Sequence, residues 1–133
     1  MTLTSDRQTI PLNVIAGNND GSVYNISNNQ IHIVKPGVYL TWGLAYIYSS
    51  YTVNDIIHVD VSRTSTSMWL THTTLRALFT SPYETAIIAP TPITVSSEEA
   101  VFLQAWNQSG ARGTLGHADD FPIRTGIFVL KIN

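Results

Sequence analysis

Apolar and polar residues alternate with a period of two through much of this chain, and no window of useful length repeats apolar residues at helical spacing. Thr, Val, Ile and Tyr crowd the places where the alternation is clearest, and these side chains fit a pleated, half-buried surface. The longest run covers residues 38–48. It sets Val38, Leu40, Trp42, Leu44, Tyr46 and Tyr48 on one face and Tyr39, Thr41, Gly43, Ala45 and Ile47 on the other, so both faces are predicted to be covered. Residues 55–63 put Ile57, Val59 and Val61 opposite Ile56, His58 and Asp60.

Turn chemistry divides the remainder. A first strand is predicted over residues 8–15, closed by Gly17-Asn18-Asn19-Asp20-Gly21, with a short piece over 23–26 and an Asn28-Asn29 turn into 30–34. Further strands are predicted over 68–75, 93–95, 100–107 and 125–132, with Ser96-Ser97-Glu98-Glu99 as the turn before 100–107. Residues 76–79 read as a helical turn or a strand end, and 109–116 as a glycine-rich loop. Three prolines, Pro82, Pro90 and Pro92, make residues 81–92 a surface connection or an edge strand.

Eight to ten short strands without linker, repeat or low-complexity tract predict an all-β fold, a two-sheet antiparallel jelly-roll sandwich over residues 8–133 preceded by an N-terminal arm at 1–7. With 133 residues the chain has enough length for one sizeable core. Charged residues make up only 12% of it, against about 25% in a typical soluble domain. A surface so short of charge is expected either to be covered by other chains or to be rich in Ser, Thr and Asn.

Seven Lys and Arg are scattered singly against nine Asp and Glu, so there is no cluster to neutralise phosphates and nucleic acid is not an expected partner. Cysteine is absent, which removes disulfides and thiolate chemistry and favours assembly in a reducing cytoplasm. The first seven residues lack the basic start and apolar run of a secretory signal, and no stretch approaches the ~20 apolar residues of a membrane-spanning helix. No membrane partner is expected.

Three landmarks resemble the trimeric jelly rolls of the tumour-necrosis-factor and complement-globular-head superfamily. Val34-Lys35-Pro36-Gly37-Val38-Tyr39 is similar to that family's turn into an aromatic-bearing strand. Ile93-Thr94-Val95-Ser96-Ser97-Glu98-Glu99-Ala100-Val101-Phe102-Leu103 resembles its pair of short apolar strands about an acidic turn, although the usual Gly-Asp is replaced by Glu98-Glu99-Ala100. Thr125-Gly126-Ile127-Phe128-Val129-Leu130 resembles its closing strand. The resemblance implies a homotrimer.

Similar compact jelly rolls occur as phage capsid decoration (cement) proteins, where the trimer bridges capsomers by binding the major capsid protein. That setting implies a virion location after assembly in the host cytoplasm. The alternative is a receptor- or glycan-binding head of a tail fibre, or a complement-like or tumour-necrosis-factor-like binding domain. Under the trimer reading Trp42, Tyr46, Trp106 and Phe128 are expected at the subunit interface or in the core, and Arg7 on the shell.

Chemistry is sparse. His58 and Asp60 share a strand face and could share a metal, but spacing supplies no third ligand, and the plainer reading is the polar face of a half-buried strand. His117, Asp119 and Asp120 follow a glycine-rich loop and form a weak metal candidate against a reading as solvated charges or ion pairs. No Gly-x-Ser-x-Gly elbow is present, and the adjacent carboxylates Glu98-Glu99 and Asp119-Asp120 would diverge within a strand, so neither catalysis nor a cofactor is expected.

Overall fold

The computed structural model describes residues 1–11, 20–48, 55–65, 69–76, 83–110, 114–115 and 125–133. Among them are ten strands in two antiparallel sheets: β1 (Gln8–Thr9), β2 (Tyr24–Ser27), β3 (Gln30–Ile33), β4 (Gly37–Tyr48), β5 (Ile56–Arg63), β6 (Trp69–Arg76), β7 (Tyr83–Val95), β8 (Glu99–Asn107), β9 (Thr114–Leu115) and β10 (Gly126–Lys131). One sheet runs β2-β3-β8-β5-β6, with β1 also paired to β8. The other runs β10-β4-β7, with β9 also paired to β4. The sandwich predicted from alternation is therefore present.

The two sheets meet through the positions that alternation selects. Tyr39, Ala45 and Ile47 from β4, Val59 and Val61 from β5, Ile88 from β7, Val101 and Leu103 from β8 and Ile127 from β10 are all buried in one cluster. Gly43 stands where core side chains press on β4: a Cβ there would lie 2.7 Å from Leu103 Cδ1, 3.0 Å from Ile88 Cδ1 and 3.2 Å from Val61 Cγ2. Gly43→Val is expected to destabilise the fold by about 1–3 kcal/mol through overpacking. Gly21→Ala, where a Cβ meets nothing within 4 Å, should change stability by less than about 0.5 kcal/mol. Urea unfolding of the two variants checks the contrast.

Turn residues act where the sequence places them. Asn28 and Asn29 have φ of 52° and 61°, the left-handed pair that a two-residue hairpin needs to match the twist of β2 and β3. Gly37, at φ 156°, has no room for a side chain, because a Cβ would lie 2.5 Å from the Asn133 carbonyl oxygen. That close approach is the start of the β4 ladder, where Val38 N–H donates to Asn133 O at 3.0 Å and Ile132 N–H to Val38 O at 2.9 Å. Gly126 differs, since a Cβ there would meet nothing within 4 Å.

Of the two readings of residues 81–92 the edge strand is the one present, and it does not stop before 93–95: β7 is continuous from Tyr83 to Val95. Its prolines are tolerated because β7 is the edge of its sheet and its register with β4 shifts between Thr41 and Gly43, skipping Ala89 and Pro90. The N-terminal arm at residues 1–7 lies against the domain. Leu3 is buried in the core and the Thr4 carbonyl accepts a 2.9 Å hydrogen bond from Asn107 N–H. One leucine among polar neighbours carries no periodic signal, so the sequence pattern does not reveal it. The first strand covers only Gln8–Thr9, and most of the remainder of its predicted span lies outside the described residues.

The acidic turn before β8 holds a buried ion pair. Glu99 accepts hydrogen bonds from Nε and Nη2 of Arg63, and one at 3.2 Å from Ser65 N–H, while Arg63 Nη2 also donates to Thr94 O at 3.2 Å. Burial alone would push the Glu99 carboxyl upward, but the hydrogen bonds from Arg63 and Ser65 and the guanidinium charge outweigh it and hold it below the usual carboxylate range.

Candidate functional site

The outward face of the β10-β4-β7 sheet is apolar across its width. Pairing sets Phe128 opposite Trp42 and Leu130 opposite Leu40, while Leu40 faces Pro92 and Leu44 faces Ile87 on the other side. Trp42 and Phe128 stack with ring centroids 5.2 Å apart and planes 8° from parallel. Ile87 is 68% exposed, Ile132 54%, Leu130 51% and Phe128 42%. Exposed apolar residues scattered singly need no explanation, but here they adjoin one another over three strands. The outward positions within residues 40–44, 87–92 and 128–132 carry no charged side chain.

The opposite sheet turns a polar cluster outward. His58 and Asp60 project from β5 on the side away from the buried Ile57, Val59 and Val61. In the ladder His58 lies between Thr74 of β6 and Trp106 of β8, and Asp60 between His72 and Gln104. The His58 ring stacks on the Trp106 indole at 4.5 Å and 6°. Arg7 covers the same indole, its guanidinium carbon 4.5 Å from the ring centroid. Asp60 has no exposed surface. Its Oδ1 contacts His72 Nδ1, whereas Oδ2 has no hydrogen-bond partner among the described residues and lies 3.7 Å from Arg7 Nε. Among the described residues no three His, Asp or Glu side chains converge as a metal-binding group.

The four aromatic residues singled out in the sequence therefore divide. Trp42 and Phe128 lie together on the apolar face. Tyr46 projects from the same side of β4 but is only 4% exposed, and its N–H donates to Thr125 Oγ1 at 2.9 Å. Trp106 belongs to the other sheet, beside Arg7 and His58. Alternation tells which residues share a face of a strand; it does not tell which sheet the strand joins. His117, Asp119 and Asp120 lie outside the described residues.

Sequence reasoning missed His72, Leu130 and Ile87. His72 had a usable signal: in sequence, His72 and Thr74 stand as far beyond position 66 as Asp60 and His58 stand before it, which is how residues of a hairpin pair. Ile87 was hidden by the prolines that follow it.

No protein-family model matches the chain, and no curated protein matches it by sequence. Solved structures do match in fold. Murine APRIL, in its crystal structure at pH 8.5, superposes with a TM-score of 0.69 and 12% identity over 98% of this chain and 95% of that one. Its pH 8.0 structure gives a TM-score of 0.64 at the same identity and coverage. Eiger TNF from S. frugiperda gives 0.59 and 17% identity over 83% of this chain and 69% of that one. The chain thus has the jelly-roll sandwich seen in structures of the tumour-necrosis-factor family.

Proposed function

We propose that this protein is a non-enzymatic homotrimer, assembled through the outward face of the β10-β4-β7 sheet, that acts by binding and bridging other proteins. The observation that carries this reading is the uncharged apolar surface formed by Leu40, Trp42, Leu44, Ile87, Phe128 and Leu130. A closed three-fold ring would remove all of its copies from water, which an isolated chain cannot do. The three-fold is assigned from the resemblance to trimeric jelly rolls. Sedimentation equilibrium at micromolar concentration is expected to give three chains per particle, and a monomer or dimer there would refute the assembly.

Within that reading we assign the trimer to a phage capsid, where it would bridge neighbouring copies of the major capsid protein. Three identical footprints on one rigid body bind far more tightly than one, because the second and third contacts become intramolecular. Arg7 keeps 37% of its side chain exposed on the sheet that the trimer would leave free, and is the residue we assign to the shell. The low share of charge, 12%, and the lack of a catalytic motif fit a structural role. Purified virions should contain this polypeptide in many copies. Absence from virions would end this assignment, and confinement to tail tips would identify a receptor- or glycan-binding head instead.

A further inference from the structure

The His58–His72 pair has a hydrogen-bond arrangement that points both imidazoles at one place. His58 Nδ1 and His72 Nε2 are 3.2 Å apart. On its far side His72 turns Nδ1 to the Asp60 carboxylate, which can only accept, so that nitrogen carries the hydrogen. On its own far side His58 sets Nε2 2.9 Å from Gln108 Oε1, and the tautomer with its hydrogen on Nε2 donates there. In that tautomer the two inner nitrogens face each other with lone pairs. Thr74 Oγ1 joins them, 2.8 Å from His72 Nε2 and 3.4 Å from His58 Nδ1.

The Thr74 hydroxyl has one hydrogen and can donate to only one of these nitrogens, whereas an ion seated between them would take up both lone pairs. The geometry points to a divalent transition-metal site, of the zinc, nickel and copper class, held by His58 Nδ1 and His72 Nε2 with the Thr74 hydroxyl and water completing the shell. Metal–imidazole bonds are about 2.0–2.1 Å, which places two nitrogens of a tetrahedral centre roughly 3.3 Å apart. The observed 3.2 Å meets that requirement without moving either strand. Asp60 takes the role of the carboxylate that orients a metal-binding histidine and fixes its tautomer. The Trp106 indole, stacked on His58 and capped by Arg7, holds the second ring in place. Imidazole suits zinc, copper and nickel, and a site with two protein nitrogens leaves positions open to solvent. His72 keeps 28% of its side chain exposed, so an ion can reach it, and the cluster lies on the sheet opposite the apolar face.

The test is a calorimetric titration of the full chain with Zn²⁺, alongside His58→Gln, His72→Gln, Asp60→Asn and His32→Gln variants. Binding of one ion per chain is expected, lost in His58→Gln and His72→Gln and unchanged in His32→Gln. Asp60→Asn should weaken binding by about 10–100-fold. If Asp60→Asn does not fold, nitrogen NMR of the unaltered protein still decides. It should show the Nε2–H form of His58 and the Nδ1–H form of His72, with His58 Nδ1 and His72 Nε2 shifting as Zn²⁺ is added. No saturable binding, binding that survives both histidine substitutions, or ring nitrogens that ignore the ion would overturn the site.

Discussion

Leu130→Asp is expected to convert the proposed trimer into a folded monomer. Leu130 is half exposed in the single chain, pairs with Leu40 and sits two residues from the Phe128 that stacks on Trp42. In a three-fold ring the substitution acts three times. Fully burying a leucine is worth about 1.5–3 kcal/mol and assembly buries only the exposed half of Leu130, so the trimer loses roughly 2–5 kcal/mol, on the order of 10²- to 10³-fold in association. Carboxylates left without partners in an apolar contact add to the loss. The sandwich itself should survive, because the core side of β10 is carried by Ile127 and Val129. Light scattering and circular dichroism, read together, test this; a variant that remains trimeric would show that the contact lies elsewhere.

Arg63→Ala is expected to cost about 3–5 kcal/mol, the usual result of leaving one member of a buried ion pair alone. For a chain of 133 residues that is a fall in melting temperature of roughly 10–20 °C. The dependence on pH is more specific. In the unaltered protein Glu99 titrates below its unfolded range, so its contribution is complete at neutral pH and is lost only as pH falls through the depressed folded value. Without Arg63, burial is opposed only by the Ser65 hydrogen bonds, so the carboxyl titrates higher than in the unaltered protein. The variant's deficit should therefore be largest near neutral pH and shrink on acidification as Glu99 becomes protonated. Denaturant midpoints measured from pH 7 to pH 4 check the sign, and a deficit that grows toward acid would contradict the pairing.

Much of the fold was legible because alternation is a local property. The observed bounds of β4 and β5 lie within one residue of the bounds predicted from alternation. The predicted break before residue 93 failed because proline speaks about the hydrogen bond it lacks, and an edge strand with a register shift can do without that bond. The candidate surfaces were less legible, since both are made by pairing across distance. Trp42 meets Phe128 only once β4 and β10 are in register, and His58 meets His72 only through the β5–β6 hairpin. Trp106 shows the same limit from the other side: its aromatic character was plain, but its sheet was not.

The pairing of β4 with β10 also sets an order of events. The apolar face is shared between strands separated by on the order of 80 residues, and such distant pairings form slowly, over milliseconds to seconds in β-sandwiches. Until they form, Trp42 has no Phe128 against it and no complete surface exists for another chain to meet. Association of subunits in the proposed trimer must then wait behind a first-order step whose rate is indifferent to protein concentration. Raising the concentration would hasten assembly only up to that ceiling, which the chain's own closure imposes.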